Sequence, residues 1–265
     1  MTTDDLGHPV DLAAPPRRVV GLVPSLTEAL ALSCPERVVG ATRFCVLPPD
    51  LDERAGHPVV RVGGPKDPDL GAILALAPEL VVASKEENRR EDVEALRAAG
   101  APVWVTDAAT VDGALVSMGR LFGRALGLGS PPDWLRRARR AWAGADGPVV
   151  SSVVVCIWRD PWMVIGPRTY AADLLRRTGL PLAELPVAGW DRQRYPVVDP
   201  GTIRRSDAGL IVLLDAPYPF APDDGPECFP GRDVRILPER PVVWYGPGMV
   251  DARDRIRALL GPRPA

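Results

Sequence analysis

Residues 17–30 read RRVVGLVPSLTEAL, and this stretch decides the fold. The run VVGLV at 19–23 is short, apolar and β-branched, which is typical of a buried strand. Pro24 and Ser25 give a turn signal, and an apolar helix pattern follows from Thr27 onward. Ser25 or Thr27 is expected to cap that helix. Such a strand-to-helix corner predicts a parallel sheet whose strands are connected by helices.

The same pattern recurs along the chain. Further strands are predicted at 38–42, 59–63, 80–84, 103–107, 153–158, 210–215 and 242–246. Helix-like stretches lie between them at 69–76, 88–99, 169–178 and 249–260. Near-continuous apolar strands that alternate with helices indicate parallel sheets covered on both faces.

The middle of the chain lacks a strand signal. Residues 110–127 read as a helix, Gly129 to Pro132 interrupt it, and 133–143 resume it. We therefore predict an N-terminal α/β lobe at 1–109, a joining helical segment at 110–146 and a C-terminal α/β lobe at 147–265.

An internal repeat is consistent with two lobes. The segment that begins at Asp69 (DLGAI) and the one that begins at Asp199 (DPGTI) are offset by 130 residues, and each precedes an apolar run. Each repeat predicts a short helix that leads into a buried strand. Chance similarity between two strand-helix units is the alternative explanation.

Composition narrows the functions that the chain can have. Apolar residues make up 46% and charged residues 25%, with a net charge of -2, so nothing favours binding to nucleic acid or an anionic membrane. No apolar run reaches the roughly 18–20 residues of a membrane span. The start, MTTDDLGHPVDLAAPP, lacks the basic and apolar regions of a signal peptide. Widely spaced cysteines suggest free thiols, so we expect a cytoplasmic protein.

Few residues are suited to catalysis. His8 and His57 have no metal-binding partners at suitable spacing, so no metal site and no catalytic residue are assigned. Nucleotide-binding and nucleophile-elbow motifs are missing from the sequence. An enzyme hypothesis depends on one group of residues near the first-lobe rim: Cys45, Lys66, Glu86 and Glu87.

Loops at the carboxyl ends of parallel strands are where α/β folds bind ligands. Glu86 lies in such a loop (SKEENRRED, 84–92), where Asn88 is expected to cap the next helix. Trp158 ends the strand predicted at 153–158, and Arg159 follows it. The indole ring could stack on a ligand, and the guanidinium could donate paired hydrogen bonds to it. Because Asp160-Pro161 signals a turn, we expect at least one of that pair to be partly exposed. Solvated charge and core packing are the structural alternatives.

Several motifs together resemble the cluster A-III substrate-binding proteins of ABC importers, which carry cobalamin, haem or ferric siderophores. The motifs are PSLTE (24–28), VGGPK (62–66), ILALAPELV (73–81), IWRDPWMVIG (157–166) and WYGP (244–247). The resemblance covers nearly the whole chain. It implies two three-layer α/β lobes with mostly parallel sheets, joined by a long backbone helix as in class III periplasmic binding proteins, with ligand held in an interlobe cleft.

The resemblance also implies a ligand and its contacts. The ligand would be a corrinoid, another tetrapyrrole or a metal chelate, with no covalently bound cofactor. By position, the first lobe would contribute Ser25, Phe44, Lys66 and Ser84, and the second Trp158, Arg159 and Tyr195. The aromatic rings would stack on the ligand, and Lys66 and Arg159 would hold anionic groups.

One departure from the family pattern concerns docking to a permease. Family members that serve importers carry a docking glutamate on each lobe, and these positions are Gly71 and Gly201 here. We therefore expect a cytoplasmic ligand-binding protein that does not dock to an importer. The alternatives are a receptor of a cobalamin or siderophore importer and an enzyme recruited onto this scaffold.

Overall fold

A computed structural model describes residues 2–144 and 146–260. The chain divides into two compact units. Unit 1 comprises the chain through Asp107, then Gly113–Arg139 and Tyr245–Pro247. Unit 2 comprises Ala108–Asp112, Arg140–Trp244 and the chain from Gly248 onward. The outermost residues of the two predicted lobes, and residue 145 of the predicted joining segment, lie outside the described residues.

Strands and helices alternate as the sequence predicted. The strands are β1 Thr2–Thr3, β2 Pro9–Val10, β3 Val19–Gly21, β4 Val38–Ala41, β5 Val60–Arg61, β6 Leu80–Ser84, β7 Val103–Thr106, β8 Val153–Trp158, β9 Met163–Val164, β10 Leu210–Leu214 and β11 Val234–Leu237. The helices are α1 Pro24–Ala31, α2 Leu51–Ala55, α3 Leu70–Ala75, α4 Arg90–Ala98, α5 Val111–Arg120, α6 Asp133–Trp142, α7 Tyr170–Arg177, α8 Pro200–Arg205, α9 Arg240–Val243 and α10 Ala252–Leu260.

Unit 1 is built on a parallel sheet with the strand order β5-β4-β3-β6-β7. The central strands are fully buried, and Val20, Val81 and Val103 belong to a core that also receives Ile73 from α3 and Leu96 from α4. This explains the continuous apolar runs in the sequence, because a strand covered by helices on both faces needs apolar residues on each. The short strands β1 and β2 pair with each other as an antiparallel ribbon.

Unit 2 has a mixed sheet with the order β11-β10-β8-β9. β8, β10 and β11 are parallel, whereas β9 folds back antiparallel on β8 after the predicted turn at Asp160-Pro161. Asp160 has a φ of 57°, a left-handed conformation suited to this tight reversal.

The internal repeat corresponds to two equivalent corners. Asp69 accepts a hydrogen bond from the N–H of Ala72 at 2.9 Å and begins α3, which leads into β6. Asp199 accepts one from the N–H of Thr202 at 2.9 Å and begins α8, which leads into β10. The predicted short helix before a buried strand is confirmed in each unit.

The central helices also follow the prediction. α5 continues as a π-helical turn through Leu121–Ala125. The helix is then interrupted, and α6 begins at Asp133. Trp134 of α6 packs edge-on against Phe122 at a ring separation of 5.7 Å.

One strand prediction was wrong. Residues 242–246 (VVWYG) do not form a strand, because the short helix α9 begins at Arg240 with Pro241 in its first turn and takes in Val242 and Val243. Tyr245 belongs to unit 1. The edge of the unit 2 sheet is formed instead by β11, whose sequence VRIL gave only a weak apolar signal.

Candidate functional site

The predicted first-lobe residues lie at one edge of the unit 1 sheet. Ser25 follows β3, Phe44 follows β4, Lys66 follows β5, and Ser84 ends β6. Parallel strands bring their carboxyl ends to the same edge. The structure also joins two of the predicted residues, since Lys66 Nζ donates a hydrogen bond to the carbonyl oxygen of Glu86 at 2.7 Å. We call this edge, with these five residues, the unit 1 strand-end face.

Ser25 is not a helix cap. α1 begins at Pro24, and its N-cap residue Val23 makes no side-chain capping bond, so the capping prediction for Ser25 or Thr27 was wrong. Ser25 is 6% exposed in the first turn. Thr27 faces β3, where a Cβ on Gly21 would lie only 2.2 Å from Thr27 Oγ1. Glycine at this position therefore lets the helix pack closely on the strand.

Thr27 also binds the thiol of Cys45. Cys45 Sγ donates to Thr27 Oγ1 at 3.2 Å and lies 3.1 Å from Thr42 Oγ1. Burial raises the pKa of Cys45, although the two hydroxyl groups lower it in part. A buried thiol that stays protonated at neutral pH is a poor nucleophile. The enzyme hypothesis therefore loses the nucleophile on which it depended.

Ser84 belongs to a buried hydroxyl network. It is 2% exposed, and Tyr245 Oη donates to its Oγ at 3.3 Å and lies 2.8 Å from Thr106 Oγ1. Burial raises the pKa of Tyr245 to about 12, so the phenol remains neutral. Sequence reasoning missed Tyr245 because its neighbours read as a strand. The network fixes Ser84, which is a buried member of the unit 1 strand-end face.

Asn88 organises the loop after β6. It does not cap α4, as had been predicted, since the N-cap residue is Arg89. Instead Asn88 Oδ1 accepts from the N–H of Ser84 at 2.9 Å, and Nδ2 donates to the carbonyl of Pro65 at 3.0 Å. The amide thus ties the loop that carries Lys66 to the end of β6.

Two further features give this face its chemistry. Burial raises the pKa of Glu87, while the nearby Lys66 lowers it and Glu86 raises it. Phe44 is 52% exposed, and the Arg43 guanidinium lies over its ring at 4.9 Å. The face therefore combines an exposed aromatic ring with charged groups that influence one another.

In unit 2, Trp158 and Arg159 lie where β8 ends. Trp158 is 39% exposed and makes an edge-on contact with Tyr218, with ring centroids 5.7 Å apart. The prediction that at least one of this pair is partly exposed is confirmed. Arg159 is held by Asp224 and Glu227, which sequence reasoning missed. Since both carboxylates lie in the loop after β10, the rule about strand ends could have found them.

Tyr195 is the remaining predicted contact of unit 2. Its side chain is 38% exposed. The segment that carries Tyr195 packs against the residues that follow β9, and the N–H of Gly166 donates to the carbonyl of Arg194 at 2.7 Å. A Cβ on Gly166 would lie 2.3 Å from the carbonyl oxygen of Gln193. This close approach holds the segment with Tyr195 against the sheet.

Unit 2 also contains a cavity of about 540 Å³ that none of the predicted residues lines. Its walls include Pro167, Leu182 and Trp190, together with the charged residues Arg176 and Glu184. In the described part of the chain, no group of three or more His, Cys, Asp or Glu side chains is placed to hold a metal ion. Within the same residues, no helix has the length and apolar character of a membrane span.

This architecture is the two-lobed α/β fold of the class III periplasmic binding proteins. The periplasmic vitamin B12-binding protein of Vibrio cholerae matches with a TM-score of 0.71 at 17% identity, covering 93% of this chain and 97% of that one. A periplasmic heme-binding protein from Pseudomonas aeruginosa matches with a TM-score of 0.70 at 19% identity, covering 94% and 95%.

A third solved structure, Helicobacter pylori Ceue with Ni(II) bound, matches with a TM-score of 0.73 at 16% identity, covering 98% of this chain and 88% of that one. No protein-family model and no curated protein sequence matches this chain. The resemblance to importer-associated binding proteins that the motifs indicated is therefore confirmed at the level of the fold.

Proposed function

We propose that this protein binds a bulky small molecule, namely a corrinoid, another tetrapyrrole or a metal chelate. The observation that carries the proposal is the exposure of large aromatic rings: Phe44 after β4 in unit 1, Trp158 at the end of β8 in unit 2, and Tyr195 on the segment beside β9. Exposed rings that sit on rigid strand ends are suited to stack on a flat ligand. The matched vitamin B12-binding and heme-binding proteins support this choice of ligand class.

Replacing Trp158 with Ala should weaken ligand binding by about 1–3 kcal/mol, because a stacking surface is lost. Isothermal titration with cyanocobalamin, haemin and a ferric siderophore, on native and variant protein, measures the change. The matched control is Trp190→Ala, which truncates the same residue type in unit 2 at a side chain that lines the separate cavity. The control should retain native affinity.

Two outcomes would contradict this assignment. The first is a Trp158→Ala variant that fails to fold while Ser25→Ala and Lys66→Ala leave affinity unchanged, since Trp158 would then be part of the core. The second is the absence of binding by the native protein to every ligand of the three classes, which would remove the ligand class itself.

A receptor role in an ABC importer is the better supported of two physiological roles. The solved structures that match this fold are periplasmic binding proteins from several bacteria. In this role the protein would deliver its ligand to a permease.

The second role is a cytoplasmic ligand carrier that does not dock to a permease. By the motif resemblance, Gly71 and Gly201 fall at the positions of the docking glutamates, and the neighbouring carboxylates of Asp69 and Asp199 are engaged as helix caps. All four cysteines are free thiols, which suits a reducing compartment.

Cell fractionation separates the two roles. The gene is expressed in its host with its natural upstream region, and the protein is located by immunoblot. Recovery in the cytosolic fraction is the result expected for a cytoplasmic carrier. Recovery in the periplasmic or membrane fraction would exclude that role and leave the receptor.

A further inference from the structure

Several cationic side chains at the strand ends are already paired with carboxylates of the protein. Arg159, expected from sequence to hold an anionic ligand group, is the clearest case. Its Nη1 atom hydrogen-bonds to Asp224 and to Glu227 Oε1, the latter at 2.7 Å, and its Nε lies 3.7 Å from Asp160 Oδ2. We call Arg159, Asp160, Tyr218, Asp224 and Glu227 the Arg159 cluster.

Both carboxylates that bind Arg159 are held by a second donor. The Tyr218 hydroxyl donates to Asp224 Oδ2 at 2.7 Å. The N–H of Gly225 donates to Glu227 Oε2 at 2.5 Å. These carboxylates are therefore fixed in position around Arg159, and an incoming anion would have to displace them from its guanidinium.

The cluster has an excess of negative charge. Desolvation raises the pKa of Glu227, but backbone N–H groups and Arg159 outweigh it, so that the pKa is lowered. Desolvation also disfavours the charged form of Arg159, yet Glu227 and Asp224 raise its pKa overall. One guanidinium therefore faces three carboxyl groups, and the formal charge of the Arg159 cluster is negative.

Cations at the strand ends of unit 1 are also paired. Arg43 pairs with Asp67 at 2.9 Å, and Lys85 pairs with Asp107 at 2.6 Å. The third cation, Lys66, donates to the carbonyl of Glu86, and its charge acts on the neighbouring Glu87 carboxyl. Arg89 and Arg90 are exposed just beyond Asn88, so the formal charges around this face favour neither sign and the charge argument depends on unit 2.

We infer that the ligand is neutral or cationic and offers hydrogen-bond donors, as an amide-bearing corrinoid does, and is not a carboxylate-bearing tetrapyrrole such as haem. An anion that approached Trp158 would meet the negative Arg159 cluster, whose guanidinium is already paired with Asp224 and Glu227. Amide N–H groups, in contrast, find carboxylate acceptors beside an exposed aromatic ring. This inference depends on the proposed function and specifies its ligand.

Competition between two probes tests the inference. Cyanocobalamin should bind the native protein at least about tenfold more tightly than haemin. Glu227→Gln removes one carboxylate from Arg159, and the ratio of the two affinities should shift by about tenfold toward haemin. Asp224→Asn should shift the ratio in the same direction, which provides a second variant if the first fails to fold.

The matched control is Glu184→Gln, the same chemical change at an exposed residue of unit 2 outside the Arg159 cluster. Its affinity ratio should equal that of the native protein. Tighter binding of haemin to the native protein would overturn the charge inference but leave the proposed function standing, as would an unchanged ratio in both cluster variants. If neither probe binds, the tetrapyrrole part of the proposed function fails, and the inference fails with it.

Discussion

Replacing Asp4 with Ala should lower the free energy of unfolding by about 3–5 kcal/mol, because a buried ion pair loses one partner. The Asp4 side chain is fully buried, and Arg97 Nη2 donates to its Oδ2 at 2.7 Å. Its Oδ1 accepts from the N–H groups of Leu6 at 2.9 Å and His8 at 2.8 Å. The variant would leave Arg97 with Glu94 as its one remaining carboxylate, and it would remove the acceptor of three backbone N–H groups, those of Leu6, His8 and Val105. Urea denaturation followed by circular dichroism measures the loss.

Asp11→Ala is the matched control for this prediction. Asp11 is exposed and directly follows β2. The variant therefore removes an aspartate from the same N-terminal segment without breaking a buried ion pair. It should change stability by less than about 0.5 kcal/mol. Equal urea midpoints for the two variants would show that the Asp4–Arg97 pair contributes nothing to the stability of unit 1.

Replacing Trp142 with Ala should destabilise unit 2 by about 3–5 kcal/mol, because a large buried side chain leaves a cavity. Trp142 is 1% exposed, and its indole Nε1 donates to the carbonyl of Met249 at 2.8 Å. The guanidinium groups of Arg253 and Arg177 lie 4.8 Å and 5.8 Å from its ring. Thermal unfolding followed by circular dichroism measures the effect.

Two comparisons make this second prediction specific. Trp158→Ala truncates an exposed ring in the same unit and should cost less than about 1 kcal/mol of stability. Trp142→Phe keeps most of the apolar volume but loses the indole hydrogen bond, so its cost should fall between the two alanine variants. A Trp142→Ala protein as stable as Trp158→Ala would show that this indole does not hold unit 2 together.

The secondary structure was predictable because its causes are local. Buried parallel strands need apolar side chains on both faces, and this produced the runs that became β3, β6, β8 and β10. The turn at Asp160-Pro161 and the helix starts at Asp69 and Asp199 also follow from nearby residues alone. Residues 242–246 show the limit of this reasoning, since the two valines of this run belong to a helix that has Pro241 in its first turn.

The strand-end positions of the candidate residues could be read in the same way. Once the strands are known, the residues that follow them must lie at one edge of a parallel sheet. This places Phe44, Lys66 and Trp158 at such edges without any knowledge of tertiary contacts. The exposure and the charged partners of each side chain could not be predicted, because both depend on residues far away in sequence.

The sequence by itself determined two α/β units with helices between their strands, and a fold like that of importer-associated binding proteins, since both follow from local periodicity and short motifs. Tertiary structure alone decided the partners of the charged and polar groups. Asp4 meets Arg97 across 93 residues, and Arg159 meets Asp224 and Glu227 across 65 and 68 residues. No local pattern specifies such pairs, because which carboxylate reaches a given guanidinium depends on how distant loops pack together.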